Sequence, residues 1–370
     1  MVRDRKRLIK KIFGIGGVVL LTTVVGALLI FVLLTRTNVG HTLVLERVLK
    51  RIDGVVNGEI VVSSLRSSGL HKGVRLIGLQ VRAPDGTALM TVDSVEVEYT
   101  LSQVLRGDIV LSAVTVWRPT FNIWKSSIED PFNLIKFLGG YEPTSEKVTA
   151  PEAGESAVRR LVLEDVTIRS GRLDVRYPLT SQPGSESRIV TVPAADGVGM
   201  VRTLDFHDID GHLDRVTIVD PDFTGPRVDI DSLAFEGDVF RDPVQVREFD
   251  GTVAWLEDQI SIAVETLRLP GSLTKGSATV HLTSERAPSL GIDLVASHLE
   301  LTDLRWLQPG LPDAQGSGGF GADFGPDGLQ FRWSGVRLER EGGVIVGDGT
   351  YNLPRGEMPF LQDVSLEVSD

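Results

Sequence analysis

The feature that most limits how this chain can fold is a period-two alternation of apolar and polar residues, which begins at Val55. The clearest segments are 94–101, 172–177, 260–265 and 329–334. Side chains two positions apart lie on the same face of a β-strand, so each segment predicts a strand with one apolar and one polar face. This pattern is typical of antiparallel sheets with one solvated face. We therefore expect a mainly β fold with few short helices.

The first 36 residues differ from the rest. Residues 12–35 carry no charged side chain, and six basic residues precede them. As a helix this stretch would be about 36 Å long, enough to cross a hydrocarbon core of about 30 Å. The basic cluster predicts that the N-terminus stays in the cytoplasm. A cleaved signal peptide, the alternative, has a shorter apolar region and a small-residue cleavage site.

We therefore predict that residues 1–36 form a cytoplasmic basic tail and an uncleaved single-pass anchor. The apolar residues assigned to the anchor are Ile12, Phe13, Val18, Leu20, Val25, Leu29, Phe31 and Leu34. The bulk of the chain would then lie on the far side of the membrane.

Charge and cysteine content exclude several classes of function. The net charge is −12, and the residues after 36 carry 31 basic against 49 acidic side chains. An acidic surface of this kind argues against nucleic acid as a partner, because phosphate binding needs a basic face. The chain has no cysteine, which excludes thiol catalysis, zinc–cysteine sites and disulfides within it.

Helices are predicted in only three places beyond the anchor. Residues 45–52 have apolar side chains at helical spacing, residues 130–139 begin with Asp-Pro and end with Gly, and residues 303–307 stop before Pro-Gly. Segments 139–156 and 178–188 read as loops. We therefore divide the chain into the tail and anchor (1–36), a first β region with short capping helices (37–138), a flexible loop (139–160) and a continued β region (161–370).

A weak internal repeat links the two β regions. Residues 111–123 align with 163–175, each as a strand, a Pro or Gly break and another strand, and a third copy begins at 361. Because the chain stops inside this third copy, we expect it to be the N-terminal part of a longer protein.

The candidate catalytic and metal-binding motifs in the sequence lack the spacing or the structural context that such sites require. The acidic and histidine-containing segment 205–212 lacks the ligand spacing of an EF-hand, and we predict a polar turn there. The segment 316–321 fits G-x-G-x-x-G, but a loop precedes it and an alternating segment follows, so we predict a glycine-rich turn. We expect no enzyme activity, no cofactor and no metal site.

Several segments together carry a family resemblance. They are GEIVVSSL at 58–65, GVRLIGLQV at 73–81, LSQVLRGDI at 101–109 and LTDLRWLQP at 301–309, behind an N-terminal anchor and a short helix. In this order they resemble the N-terminal portion of the AsmA-like superfamily. They are most similar to its TamB-type members, the inner-membrane subunits of the translocation and assembly module.

The resemblance implies a bridge-like lipid transfer protein of the bacterial inner membrane, with its bulk in the periplasm. Its elongated antiparallel sheet would curl into an apolar, β-taco-like groove that carries phospholipid toward the outer membrane. An outer-membrane β-barrel partner of the Omp85 type would bind a C-terminal region that is not present here. The predicted groove lining is Val95, Val97, Tyr99, Leu101, Leu173, Val175, Tyr177, Ile260, Ile262 and Val264.

Two other functions stay open from the sequence. The chain could assist the assembly of outer-membrane β-barrel proteins or autotransporters through exposed strand edges. It could also be a membrane-tethered structural β-sandwich, since the same alternating residues would form a closed core.

Overall fold

The computed structural model describes fourteen segments of the chain. They are 58–67, 73–99, 108–127, 130–137, 160–179, 190–193, 199–223, 225–240, 242–256, 259–281, 289–325, 328–340, 342–354 and 358–369. The predicted anchor, the predicted helix at 45–52 and almost all of the two predicted loops lie outside these segments. Within them, no helix has the length and apolar character needed to cross a membrane.

The described segments form seventeen strands, one short α-helix and one 3₁₀ turn, which confirms a mainly β fold with few helices. The first strands are β1 (Glu59–Ser67), β2 (Val74–Arg82), β3 (Ala88–Tyr99), β4 (Asp108–Trp117), β5 (Thr120–Trp124), β6 (Arg160–Pro178), β7 (Thr191–Pro193), β8 (Met200–Val219) and β9 (Arg227–Asp238). The remaining strands are β10 (Val244–Leu256), β11 (Gln259–Arg268), β12 (Leu273–His281), β13 (Ser289–Glu300), β14 (Gln315–Gly325), β15 (Gly328–Arg340), β16 (Gly343–Pro354) and β17 (Phe360–Ser369). The helix is α1 (Asn133–Phe137), and the 3₁₀ turn is Leu301–Leu304.

All seventeen strands belong to one sheet. From β8 to β17, each strand pairs antiparallel with the next along the chain. At the other end, β1, β2 and β3 form a similar antiparallel series. β4 and β5 both pair with β3 on one side and with β6 on the other, so together they occupy one position in the sheet.

The prediction of an antiparallel sheet is wrong at β6, and the sheet is mixed. β6 pairs parallel with both β4 and β5. The chain leaves β5 at Trp124 and starts β6 at Arg160, beside the first residue of β4. A parallel pair needs such a crossover connection, and the segment after β5 contains α1. Alternation alone does not specify the direction of the neighbouring strand.

The internal repeat corresponds to this parallel pairing. The paired residues include Leu111 with Leu163, Val114 with Val166, Phe121 with Leu173 and Ile123 with Val175. Equivalent positions also share an unusual backbone: Ala113, Asp165 and Asp363 have φ values of 48°, 54° and 52°. The two full copies therefore lie side by side in register, and the third copy in β17 has the same local irregularity.

Both predicted turns are wrong, since the two segments lie inside strands. Residues 205–212 belong to β8 and residues 316–321 belong to β14. β8 accommodates its polar segment with an irregularity at Asp208, whose φ is 51°. β14 pairs with β13 and β15 along its glycines, because both neighbours supply backbone hydrogen bonds whatever the side chain.

The short helices also differ from the predictions. α1 starts at Asn133 and not near Asp130. The Asn133 side chain at this position is hydrogen-bonded to the backbone of β5. Its Oδ1 accepts a hydrogen bond from the Trp124 amide at 3.0 Å, and its Nδ2 donates to the Asn122 carbonyl at 2.8 Å. The helix predicted at 303–307 is a 3₁₀ turn that begins at Leu301 and continues as hydrogen-bonded turns.

The largest buried group of apolar side chains among the described residues comes from β3, β4, β6, β8 and β9, with partly buried side chains of β2 and β10 packed against it. We call it the packed cluster, and its buried members are Val92, Val95, Val97, Val114, Val166, Leu213 and Ile230. Val114 is 1% exposed and Val92 is 3% exposed. β-Branched side chains suit such a surface because they pack well on pleated strands.

Candidate ligand-binding cavity

A cavity of about 930 Å³ lies on the apolar face of the later strands. β13, β14 and β15 supply nearly half of its lining residues, with further contributions from β11, β12, β16 and β17. The apolar residues of β13 to β15 in the lining are Leu290, Ile292, Leu294, Leu299, Phe320, Ala322, Phe324, Phe331, Trp333, Val336 and Leu338. We call this space the apolar cavity.

The register of the strands explains why these residues share one face. Leu294 pairs with Phe320, and Phe320 pairs with Trp333. Ile292 pairs with Ala322, which pairs with Phe331. Directly opposed residues of antiparallel strands point to the same face, so each row crosses three strands on the cavity side. The alternation of each sequence segment therefore places its apolar residues on one continuous wall.

A different part of the sheet also lines the apolar cavity. Tyr177 comes from the end of β6, and Arg202 and Leu204 come from the start of β8. Phe240 follows the end of β9. These strands are separated from β14 and β15 by several others in the pairing order, yet both groups line the same space.

One end of the apolar cavity is covered by the 3₁₀ turn and the residues after it, among them Leu304, Trp306 and Leu307. Asp303 fixes this cover to the β11–β12 connection. Its Oδ2 accepts hydrogen bonds from the Gly271 amide at 2.9 Å and from Ser272 Oγ at 2.7 Å.

Within the described residues, the charged members of the lining are Arg202 and Arg332. Arg332 follows Phe331 on β15, so its side chain lies on the opposite face of the sheet, where it is neutralised by Asp293, at 3.1 Å, and by Asp323. Hydrogen bonds to these two carboxylates raise the pKa of Arg332 above its ordinary value. Arg202 has a different environment, because its Nη1 donates to Tyr177 Oη at 3.0 Å and its guanidinium lies over two aromatic rings.

The sequence-predicted lining residues fall into four groups: those of β6, those within β3, those at and after the end of β3, and those of β11. Tyr177 lines the apolar cavity, and Val175 pairs with Leu204, which also lines it. Leu173 lies two positions further along the same face of β6. Val95 and Val97 lie in the packed cluster, each 7% exposed. Tyr99 is the last residue of β3, and Leu101 is outside the described residues.

The predicted residues of β11 lie on the cavity-facing side of the sheet without being part of the lining itself. Ile260 pairs with Val280, which lines the cavity. Ile262 pairs with Ala278, two positions from Val280 on the same face of β12. Val264 is buried, 8% exposed, in the next position of the series.

Sequence reasoning missed most of the actual lining. The alternation of segment 329–334 is visible in the sequence, and its apolar residues Phe331 and Trp333 do line the cavity. Nothing in the sequence distinguishes Arg202 from other arginines of the strands. Its position depends on the pairing of β8 with β6 and on the fold of the segment after β9.

One group of the described residues has the atoms and spacing to hold a metal ion. Candidate ligand atoms of His207, Asp208 and Glu236 lie within 4.8 Å of one another. His207 pairs with Glu236 across β8 and β9, and its Nδ1 is 3.0 Å from Asp208 Oδ2. The hydrogen bond to Asp208 raises the pKa of His207. Asp208 is exposed, and such ion-paired groups are common on protein surfaces without a metal.

In comparisons with known proteins, no family model, curated protein or solved structure matches the chain significantly.

Proposed function

We propose that this chain is a lipid carrier of the AsmA-like superfamily, anchored in the bacterial inner membrane, which moves phospholipid across the periplasm toward the outer membrane. Its sheet would curl into an apolar groove, with the apolar cavity as one part of that groove. The observation that carries this proposal is a cavity of about 930 Å³ with an almost wholly apolar lining.

The size and chemistry of the cavity suit acyl chains. Small-molecule sites have volumes of roughly 300–1,000 Å³, so this one is at the upper end of the range. Each methylene group transferred from water to such a lining contributes about 0.8 kcal/mol. A lining made of similar apolar side chains gives neighbouring positions of an acyl chain similar energies, so a lipid can slide without a catalytic residue.

Two strands that contribute to the lining, β6 and β11, carry further apolar residues on the same face. We propose that Ile260, Ile262 and Val264 extend the wall on β11, and that Leu173 and Val175 extend it on β6, next to Tyr177. Val95 and Val97 would belong to the part of the interior that is filled by protein side chains.

Photo-crosslinking in cells tests this proposal with a neighbouring pair of positions. Leu294 lines the apolar cavity, whereas Val295 is on the opposite face of β13 and is 54% exposed. A photoreactive residue is placed at either position in the full chain, and lipids bound to the purified protein are identified by mass spectrometry. We expect lipid adducts at 294 and few at 295. Equal labelling at both positions, or none at 294, would contradict the proposal.

A second candidate function is favoured by β17. Among the described strands, β17 pairs only with β16, and it exposes Leu361, Leu366 and Val368 at 62%, 61% and 69%. Such an edge can pair with a strand of another protein, as an assembly factor for outer-membrane β-barrels would require. Val368→Pro should impair this function, whereas Leu294→Asp should not.

A further inference from the structure

The apolar cavity contains one charged group whose described contacts include no carboxylate. Arg202 Nη1 donates to Tyr177 Oη, Nη2 lies 3.5 Å from the Val239 carbonyl oxygen, and the buried Nε has no hydrogen-bond partner within the described structure. This differs from Arg332, which two aspartates neutralise. A cation in apolar surroundings is costly unless an anion accompanies it.

Two aromatic rings hold the Arg202 guanidinium in place. Its Cζ lies 5.9 Å from the centroid of the Tyr177 ring and 5.5 Å from that of Phe240. The Phe240 ring in turn packs against Trp306, with centroids 5.9 Å apart. Cation–π contacts of this kind orient the planar guanidinium and leave its remaining N–H groups available for an anion.

Arg202 also lies at one end of the apolar cavity. β8 begins beside the end of β6, and the pairings from β9 to β13 place this edge of the sheet next to Glu300 and the 3₁₀ turn. Leu290 and Phe324 mark the opposite end of the strands. The cavity therefore has a cationic end at Arg202 and an apolar body that extends away from it.

We propose that the apolar cavity binds amphiphiles with an anionic headgroup, a phosphate or carboxylate, which pairs with Arg202 while the acyl chain extends toward Phe324. The guanidinium can form two parallel hydrogen bonds with either anion. This assignment rests on the proposed lipid-carrying function and adds a preference for charge. A neutral lipid with the same acyl chains would leave Arg202 without a counter-anion.

Equilibrium binding to the delipidated full chain in non-ionic detergent tests this assignment. The ligands are phosphatidic acid, a long-chain fatty acid and neutral diacylglycerol, each with brominated acyl chains that quench tryptophan fluorescence. Trp306 and Trp333 line the cavity and report binding. We expect at least one anionic ligand to bind about tenfold or more tightly than diacylglycerol, as charge-assisted hydrogen bonds predict.

Three variants identify the source of the preference. R202M should abolish this preference while diacylglycerol still binds, which also shows that the variant is folded. R202K should retain part of it, because the charge remains without the planar fork. R215M is the matched control on β8, since Arg215 is paired with Glu164 at 2.7 Å, and it should behave as the wild type.

The possible results separate this inference from the proposed function. Equal binding of anionic and neutral ligands, or an equal loss of both in R202M, would overturn the role of Arg202 and leave lipid binding intact. Failure of all three ligands to bind the wild type would overturn both. Displacement of bound phosphatidic acid by millimolar inorganic phosphate would show a simple anion site and would also overturn the assignment. If phosphatidic acid loses affinity in R202M, Arg202 binds a phosphate headgroup; if the fatty acid loses affinity, it binds a carboxylate.

Discussion

The packed cluster and the apolar cavity are built from the same alternating pattern but differ in what fills the interior. In the packed cluster, valines and other apolar residues from β2 to β10 bury one another, and Val114 is 1% exposed. In the later strands the corresponding face surrounds a space of about 930 Å³. Period-two alternation therefore predicts which face is apolar, but not whether that face is covered by protein.

Residue size accounts for part of this difference. β14 and β16 place small residues on the cavity side, including Ala322 and Gly347. At Gly349, an added Cβ would come within 2.2 Å of the Trp333 ring, so the ring packs directly over the backbone. The comparable positions of the packed cluster carry Val, Leu and Ile, which fill the interior. Small residues next to large aromatic ones leave room for a ligand.

The largest effect should come from a charge in the packed cluster. Val114→Asp buries a carboxylate among valines without a partner, and we expect it to reduce the free energy of unfolding by about 4 kcal/mol or more. Circular dichroism during thermal unfolding measures this loss. Leu294→Asp should cost far less, because the carboxylate can remain hydrated in the cavity. Similar losses in both variants would show that the two regions do not differ in packing.

Lipid retention, unlike stability, should depend strongly on a charge placed in the apolar cavity. Leu294→Asp places a charge against the path of an acyl chain, and we expect about a tenfold or greater loss of co-purified lipid, since desolvating the carboxylate opposes binding. Val295→Asp introduces the same charge one residue away on the exposed face and should retain lipid. Quantitative mass spectrometry of the purified full chain compares the two. Unchanged retention in Leu294→Asp would argue against a lipid path through the cavity.

The sequence predicted the strands and their faces well, because alternation directly reflects the pleat of a strand. It even predicted the equivalence of Val114 and Val166, which lie side by side. It failed at 205–212 and 316–321, where Asp and Gly suggested turns. In long strands between two paired neighbours, backbone hydrogen bonds and local irregularities override the propensities of single residues.

The candidate site was much less predictable. Of the ten proposed lining residues, Tyr177 lies on the cavity lining, whereas Val95 lies in the packed cluster. The pairing order determines which strands face one another, and the parallel placement of β6 was not visible in the pattern. The position of Arg202 beside Tyr177 and Phe240 results from this long-range pairing and not from a local motif.

A smaller loss of stability is expected when the 3₁₀ turn that covers the apolar cavity is released, and this loss should be confined to that end of the cavity. Asp303→Ala removes the acceptor for the Gly271 amide and Ser272 Oγ, and we expect a loss of about 1–3 kcal/mol in unfolding free energy. Lipid exchange measured by stopped-flow fluorescence should become faster, because the 3₁₀ turn is no longer fixed. Asp313→Ala is the control, since its ion pair with Arg305 is exposed and should contribute less than about 1 kcal/mol. Unchanged exchange in Asp303→Ala would show that the turn does not limit ligand access.

The smallest change in unfolding free energy is expected from His207 and Asp208, where β8 passes from the apolar cavity to the packed cluster. Leu204 lines the cavity, Leu213 belongs to the packed cluster, and Asp208 marks the irregularity between them. The hydrogen bond that protonated His207 donates to the Asp208 carboxylate raises the pKa of His207, with further contributions from the charges of Asp208, Asp238 and Asp205.

Because this pKa is higher in the folded chain than the unfolded value of about 6.5, protonated His207 stabilises the fold. That contribution is fully present below about pH 6.5 and is lost as the pH rises through the folded pKa, and surface exposure limits it to less than about 1 kcal/mol. Titration of His207 by NMR should show a lower pKa in Asp208→Asn, and the difference in unfolding free energy between pH 6 and pH 8 should shrink. Asp363→Asn changes another aspartate with positive φ and should leave both quantities unaltered. An unchanged His207 titration in Asp208→Asn would show that the Asp208 carboxylate does not raise the pKa of His207.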